Sequence, residues 1–228
     1  MSRPILILGQ SGSGKSSSIK TLPPKETFII NVCRKELPFR GAETNYKELS
    51  KQNPDGNMLL SDNYSVIEKT LEHIEKTKDK IKYYVVDDSQ YLIVNEFMNK
   101  HSTHGKGNEV FSLYNTIADN FWKLLWKSKM YGKDKFFFFL HHCETTEAGQ
   151  VKAKTIGKML DEKIDIPGMF TTVLLCKREG SENFFLTQND GFSPAKSPDG
   201  MFLEIKIPND LLLVSNQITS YYKGDKNA

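Results

Sequence analysis

Short apolar runs alternate along the chain with longer amphipathic stretches. Ile5-Leu6-Ile7-Leu8 has the length of a buried strand. Thr27 to Val32 (TFIINV), Lys82 to Val86 (KYYVV) and Lys135 to Leu140 (KFFFFL) predict three more strands. Ser17 to Leu22 predicts the opening of a helix behind the first strand. Asn63 to Lys80 predicts a helix with Val66, Ile67, Thr70, Leu71 and Ile74 on one face and Asp62 as its N-cap. Glu109 to Lys129 carries Val110, Phe111, Tyr114, Ile117, Phe121, Trp122 and Leu125 at helical spacing. That stripe predicts core packing rather than a platform for bases. Strands alternating with helices predict an α/β fold with a mostly parallel sheet covered on both faces.

The pattern changes towards the C-terminus. Thr171 to Lys177 and Asn183 to Gln188 predict two strands joined by a short turn, and Met201 to Ile207 one more. They predict an antiparallel extension of the sheet. Asn209 to Thr219 predicts a closing helix or extended segment. No repeat, linker or low-complexity stretch divides the chain, so residues 1–222 read as one domain and 223–228 as a disordered polar tail.

Between the first strand and the helix predicted after it stands Gly9-Gln10-Ser11-Gly12-Ser13-Gly14-Lys15-Ser16, followed by Ser17. This is the complete GxxxxGK[ST] phosphate loop in the strand–loop–helix context it requires. Glycines let backbone N–H groups turn towards phosphate oxygens. Lys15 is the group expected on the β- and γ-phosphates, and the Ser16 hydroxyl is expected to ligate Mg²⁺. The apolar Tyr83-Tyr84-Val85-Val86 run ends in Asp87, the usual position of the carboxylate that holds the metal in phosphate-loop ATPases. Neighbouring strand residues face opposite ways, so Asp87 is favoured over Asp88, with Asp88-Ser89 starting the next loop. Asp88 and Glu36 are the candidates for a general base. His141 and His142 end the KFFFFL strand, which is expected beside the metal-carboxylate strand, so a histidine there can sense the γ-phosphate. Zinc on His141, His142 and Cys143 fits poorly, because three consecutive residues do not chelate one ion well.

Composition narrows the choice. No segment approaches the roughly 18 apolar residues that span a membrane. The first strand begins at once, which leaves no room for a signal peptide. Three scattered cysteines, Cys33, Cys143 and Cys176, fit a reducing cytoplasm. Only four of the 31 basic residues are Arg. A small-molecule kinase usually spends several arginines on phosphates, so that class fits less well.

Further stretches complete an ordered set: Thr21-Leu22-Pro23, Leu37-Pro38-Phe39, Gly157-Lys158-Met159-Leu160, Leu186-Thr187-Gln188, Ala195-Lys196-Ser197-Pro198-Asp199-Gly200-Met201-Phe202 and Ile207-Pro208-Asn209-Asp210-Leu211. With the phosphate loop, the Asp87 strand and Leu140-His141-His142, these resemble the small phage-encoded RecA-like P-loop ATPases, the phage nucleotide-binding or AAA-domain proteins. Some of these are single-strand annealing proteins or recombination mediators. The resemblance implies a RecA-like P-loop NTPase core, ATP with Mg²⁺, and DNA-stimulated or weak ATP hydrolysis. It also implies action on single-stranded DNA, a homo-oligomeric ring or filament, and phage or host recombination proteins as partners in the host cytoplasm. Related motors often place Lys-x-Arg near Ala195-Lys196 to reach a neighbour's ATP. Pro198 stands where that arginine would be, leaving Lys196 as the finger candidate. DNA contacts are expected from two basic, Gly-containing loops, Lys100 to Lys106 and Thr145 to Lys158. The alternative is a nucleotide switch or an adaptor that loads another protein.

Overall fold

The computed structural model describes residues 1–103 and 107–224. Nine strands among them form one mixed sheet: β1 (Arg3–Gly9), β2 (Thr27–Asn31), β3 (Met58–Leu59), β4 (Tyr83–Asp87), β5 (Phe136–Thr145), β6 (Val151–Ala153), β7 (Thr172–Glu179), β8 (Glu182–Leu186) and β9 (Lys206–Pro208). Their order is β3-β2-β4-β5-β1-β7-β8-β9, with β6 paired to β5. Strands β1 to β5 and β7 run parallel. β8 and β9 add the antiparallel extension. The chain is an α/β protein with a mostly parallel mixed sheet flanked by helices.

Alternation along the strands sorts side chains into two cores. Leu6 and Leu8 of β1, Tyr84 and Val86 of β4 and Phe137 and Phe139 of β5 face one side. After the single-turn α1 (Ala42–Asn45), the helices α2 (Tyr64–Thr77), α3 (Gln90–Lys100) and α4 (Asn108–Ser128) meet them there through Ile67, Leu71, Leu92, Ile117 and Phe121. Ile5, Ile7, Val85, Phe138 and Leu140 face the other side. Ile19 lies on that side, with Leu211, Val214 and Ile218 of the closing helix Leu211–Lys223. Strands buried on both faces need unbroken apolar runs, which is what Ile5–Leu8 and Phe136–Leu140 supply.

Several expectations are corrected. No α-helix follows the phosphate loop. Ser16–Thr21 is a short 3₁₀ stretch, stopped by Leu22 before Pro23-Pro24. The N-cap of α2 is Asn63, whose Oδ1 accepts from the Val66 amide at 3.2 Å, while Asp62 accepts from Asn95. Residues after Ser89 enter α3 rather than a loop. Only the end of Met201–Ile207 is strand, and Met201 and Phe202 are buried in the core outside it. The α4 stripe divides: Leu113, Ile117, Phe121, Leu124 and Leu125 are buried, whereas Phe111, Trp122 and Trp126 lie on the outer face. A period of 3.6 carries position 117 to 121 and 124 but turns 122 and 126 away. The expected tail is ordered as far as Lys223, which ends the closing helix, and Gly224, which caps it. Residues 225–228 lie outside the described residues. No helix among the described residues is long and apolar enough to cross a membrane.

Candidate functional site

The strand tips of β4, β5, β1 and β7 lie side by side, and the phosphate loop leaves β1 between β5 and β7. Open parallel sheets bind ligands at this edge. Lys15 is 5% exposed, and its Nζ donates to the Gly9 and Gln10 carbonyls at 2.8 and 2.9 Å. The ammonium therefore closes over the loop's own backbone. Burial lowers its pKa, and Cys176, Asp88, Cys143 and Asp87 oppose that shift. Ser16 Oγ donates to Asp87 Oδ1 at 2.7 Å. This places a hydroxyl from the start of the 3₁₀ stretch beside a carboxylate oxygen from the end of β4, an oxygen donor set that suits Mg²⁺. Among the described residues no group of three or more His, Cys, Asp or Glu side chains is placed to hold a metal alone. Ser16 and Asp87 would be the chain's share of an ion otherwise held by phosphate and water.

Asp87 and Asp88 behave as opposites. Asp87 shares the parity of Tyr83 and Val85 and so faces the phosphate-loop side of the sheet. Burial, then the neighbouring Asp88 charge, raises its pKa from 3.8 to about 6. Asp88 leaves the strand with φ 60°, a left-handed conformation uncommon outside glycine. Burial alone would raise the Asp88 pKa, but hydrogen bonds from His142 and Lys35 hold it well below the usual range. His142 Nε2 donates to Oδ1 at 3.0 Å, and Lys35 Nζ pairs with Oδ2 at 2.8 Å. Tyr91 lies beneath both, with the His142 ring edge-on at 5.7 Å and Lys35 Nζ 5.3 Å from its centroid.

His141 does not reach this cluster. It is wholly buried on the opposite face, beside Phe121. Its Nε2 lies 2.9 Å from the Lys154 carbonyl and must carry the proton there, so Nδ1 accepts from Ser89 Oγ at 2.9 Å. Burial pushes its pKa down to about 3, so the ring stays neutral. The parity that selects Asp87 also selects His142, and this signal was present in the sequence.

The hairpin of β7 and β8 supports the loop from the other side. Cys176 Sγ donates to the Ser13 carbonyl at 3.0 Å and accepts from Asn209 Nδ2 at 3.1 Å. Burial pushes the Cys176 thiol up to about 11, so it remains a thiol. Gly14 has φ 101°, and a Cβ there would lie 2.5 Å from the Asn183 side chain. Gly14→Ala should therefore destabilise the fold by about 1–3 kcal/mol through backbone strain alone. Thermal unfolding of the variant checks this, and an unchanged Tm would show that the loop relaxes freely.

The remaining candidates lie elsewhere. Glu36 is exposed in the loop after β2, and its neighbour Lys35 is the residue that reaches Asp88. Lys196 pairs through its backbone with Val173, two residues short of Leu175, which is level with Leu8 of β1. Its side chain lines a different cleft, with Asp165 and Gln188. Lys100 is helical and paired to Glu96 at 2.6 Å, and residues 104–106 lie outside the described residues. The 145–158 segment is a β-hairpin as far as Ala153, an irregular stretch over 154–157 and the start of a short helix at Lys158. In it Lys152 pairs with Glu144 and Asp161, and Lys154 and Lys158 are exposed. No family model matches the chain, and a search of curated proteins returns no significant relative.

Proposed function

We propose that this chain binds ATP with Mg²⁺ in the Gly9–Ser16 loop and hydrolyses it, as a RecA-like P-loop ATPase acting on single-stranded DNA in phage recombination or annealing. The observation that carries the nucleotide reading is the 2.7 Å contact between Ser16 Oγ and Asp87 Oδ1 beside the Lys15-closed loop. The RecA-like assignment is supported by β5 lying between the phosphate-loop strand and the Asp87 strand. In this reading Lys15 exchanges the Gly9 and Gln10 carbonyls for phosphate oxygens. Mg²⁺, when bound, would offset phosphate charge. His142 and Lys35 hold Asp88 ionised at the margin, where it can orient an attacking water.

The DNA and assembly parts rest on the family resemblance. Exposed Lys154 and Lys158 are suited to phosphate contacts, and such binding should weaken steeply with salt and depend little on sequence. The test is ATP turnover with and without single-stranded DNA beside a sizing measurement. Stimulation by DNA supports the reading, and no binding at low salt with ATP present removes it. A finger in trans is tested by mixing Lys196→Ala with Lys15→Ala protein. Partial rescue places Lys196 at a neighbour's ATP, and no rescue between folded, co-assembled variants removes it from that role.

One observation favours the switch or loader reading. Both Asp88 oxygens are engaged, so the carboxylate beside Asp87 is not a free base. Slow turnover that DNA does not change would select that alternative.

A further inference from the structure

A cleft of about 620 Å³ opens beside the phosphate loop. It is lined by Gln10 and Ser13 of the loop, Leu175 and Cys176 in the middle of β7, Val151 of β6, and Phe192. Its position follows from the sheet order β4-β5-β1-β7. Ser16 and Asp87 draw the metal-binding end of a phosphate chain towards β4. The rest of such a ligand would then extend the opposite way, over the C-terminal half of β7, into this cleft.

Phe192 is 56% exposed, yet its backbone is firmly held. Its amide donates to Asp190 Oδ1 at 3.1 Å, and its carbonyl accepts from the Val151 amide at 2.7 Å. Asp190 also accepts from the Ser193 amide at 2.9 Å and pairs with Lys177 at 3.0 Å. A Cβ on Gly149 would lie 3.7 Å from the ring, so one edge of the ring rests on that glycine. The result is a positioned aromatic side chain beside a phosphate loop. The Ser13 hydroxyl in the same cleft is buried without a hydrogen-bond partner among the described residues.

Several polar side chains around the cleft already have partners. Gln10 Nε2 lies 3.4 Å from Thr145 Oγ1, Arg178 Nε donates to the Gly180 carbonyl, and Glu179 pairs with Lys206. Few side chains are left to read the edge of a base, whereas every base has a π-face that an aromatic ring can cover.

We propose that this cleft receives the base of a nucleoside triphosphate, that Phe192 stacks on it, and that the subsite accepts adenine and guanine alike. The proposal rests on the phosphate-loop reading above. The experiment titrates the full chain with Mg²⁺–ATP, Mg²⁺–GTP and Mg²⁺–tripolyphosphate, as wild type, Phe192→Ala and Phe192→Tyr. ATP and GTP should bind within about threefold of each other, and Phe192→Ala should weaken both by roughly 5- to 100-fold, the worth of one base–aromatic stack. Tripolyphosphate, which has no base, should bind all three proteins equally, and Phe192→Tyr should restore the nucleotides. The stacking role is overturned if Phe192→Ala leaves ATP unchanged or weakens tripolyphosphate as much as ATP. Base tolerance is overturned by a preference above about tenfold for one purine. Wild-type protein that binds neither nucleotide nor tripolyphosphate would instead overturn the phosphate-loop reading, and this subsite with it.

Discussion

Lys15→Ala is expected to leave a folded protein whose ATP turnover has fallen by at least 10²- to 10³-fold, the order seen when one preorganised charge-stabilising donor is lost. The side chain makes two hydrogen bonds to the loop's own carbonyls, and Ala removes both. It also removes an ammonium that burial disfavours. These effects on stability oppose each other, so Tm should move little while phosphate affinity collapses. A malachite-green assay of phosphate release, run beside a melting curve, checks both. Turnover at the original rate would show that the loop is not the site.

Asp87→Asn should separate stability from activity. The folded pKa of Asp87 is raised, so the folded state holds its proton more tightly than the unfolded chain does. The stabilising contribution of the protonated form is complete below the unfolded value near 3.8 and is lost as pH rises through about 6. At neutral pH, folding therefore carries a buried carboxylate at a cost of about 3 kcal/mol. Asn keeps the contact to Ser16 without that charge, so the nucleotide-free variant should melt higher than wild type at pH 7.5. Mg²⁺ needs the carboxylate, so metal activation should be lost in the variant. In wild type it should rise with pH through an apparent value near 6. Asp88→Asn should differ, because it breaks the contacts to Lys35 and His142 and leaves Ser16–Asp87 in place. Mg²⁺ activation lost in Asp88→Asn but kept in Asp87→Asn would invert the assignment.

The sequence carried most of the sheet. Buried parallel strands must be continuously apolar, and Ile5–Leu8, Tyr83–Val86 and Phe136–Leu140 announce themselves for that reason. Asp87 was legible because a carboxylate closing such a strand is conspicuous. His142 was equally legible by parity, but a paired His-His hides which ring faces the loop until alternation is followed through. Other features depend on tertiary context. β3 is two residues long and is held by its pairing with β2 and a bridge from Met58 to Glu48. The β5–β6 hairpin is set by pairing of Cys143–Thr145 with Val151–Ala153, which no periodicity marks. The link from Lys35 to Asp88 joins residues 53 positions apart. It arises because β2 and β4 are neighbours and Asp88 turns through φ 60°. Ser16–Thr21 opens on three serines, which are weak helix formers, and Pro23-Pro24 ends it before an α-helix can form.

The central claim is that Lys15, Ser16 and Asp87 form a Mg²⁺-dependent nucleotide site. Calorimetric titration of ATP into the wild-type chain at pH 7.5, in Mg²⁺ and again in EDTA, tests it most directly. The account predicts one site per chain in Mg²⁺, with binding at least about tenfold weaker in EDTA. No heat of binding in Mg²⁺, or equal affinity in Mg²⁺ and in EDTA, would contradict it.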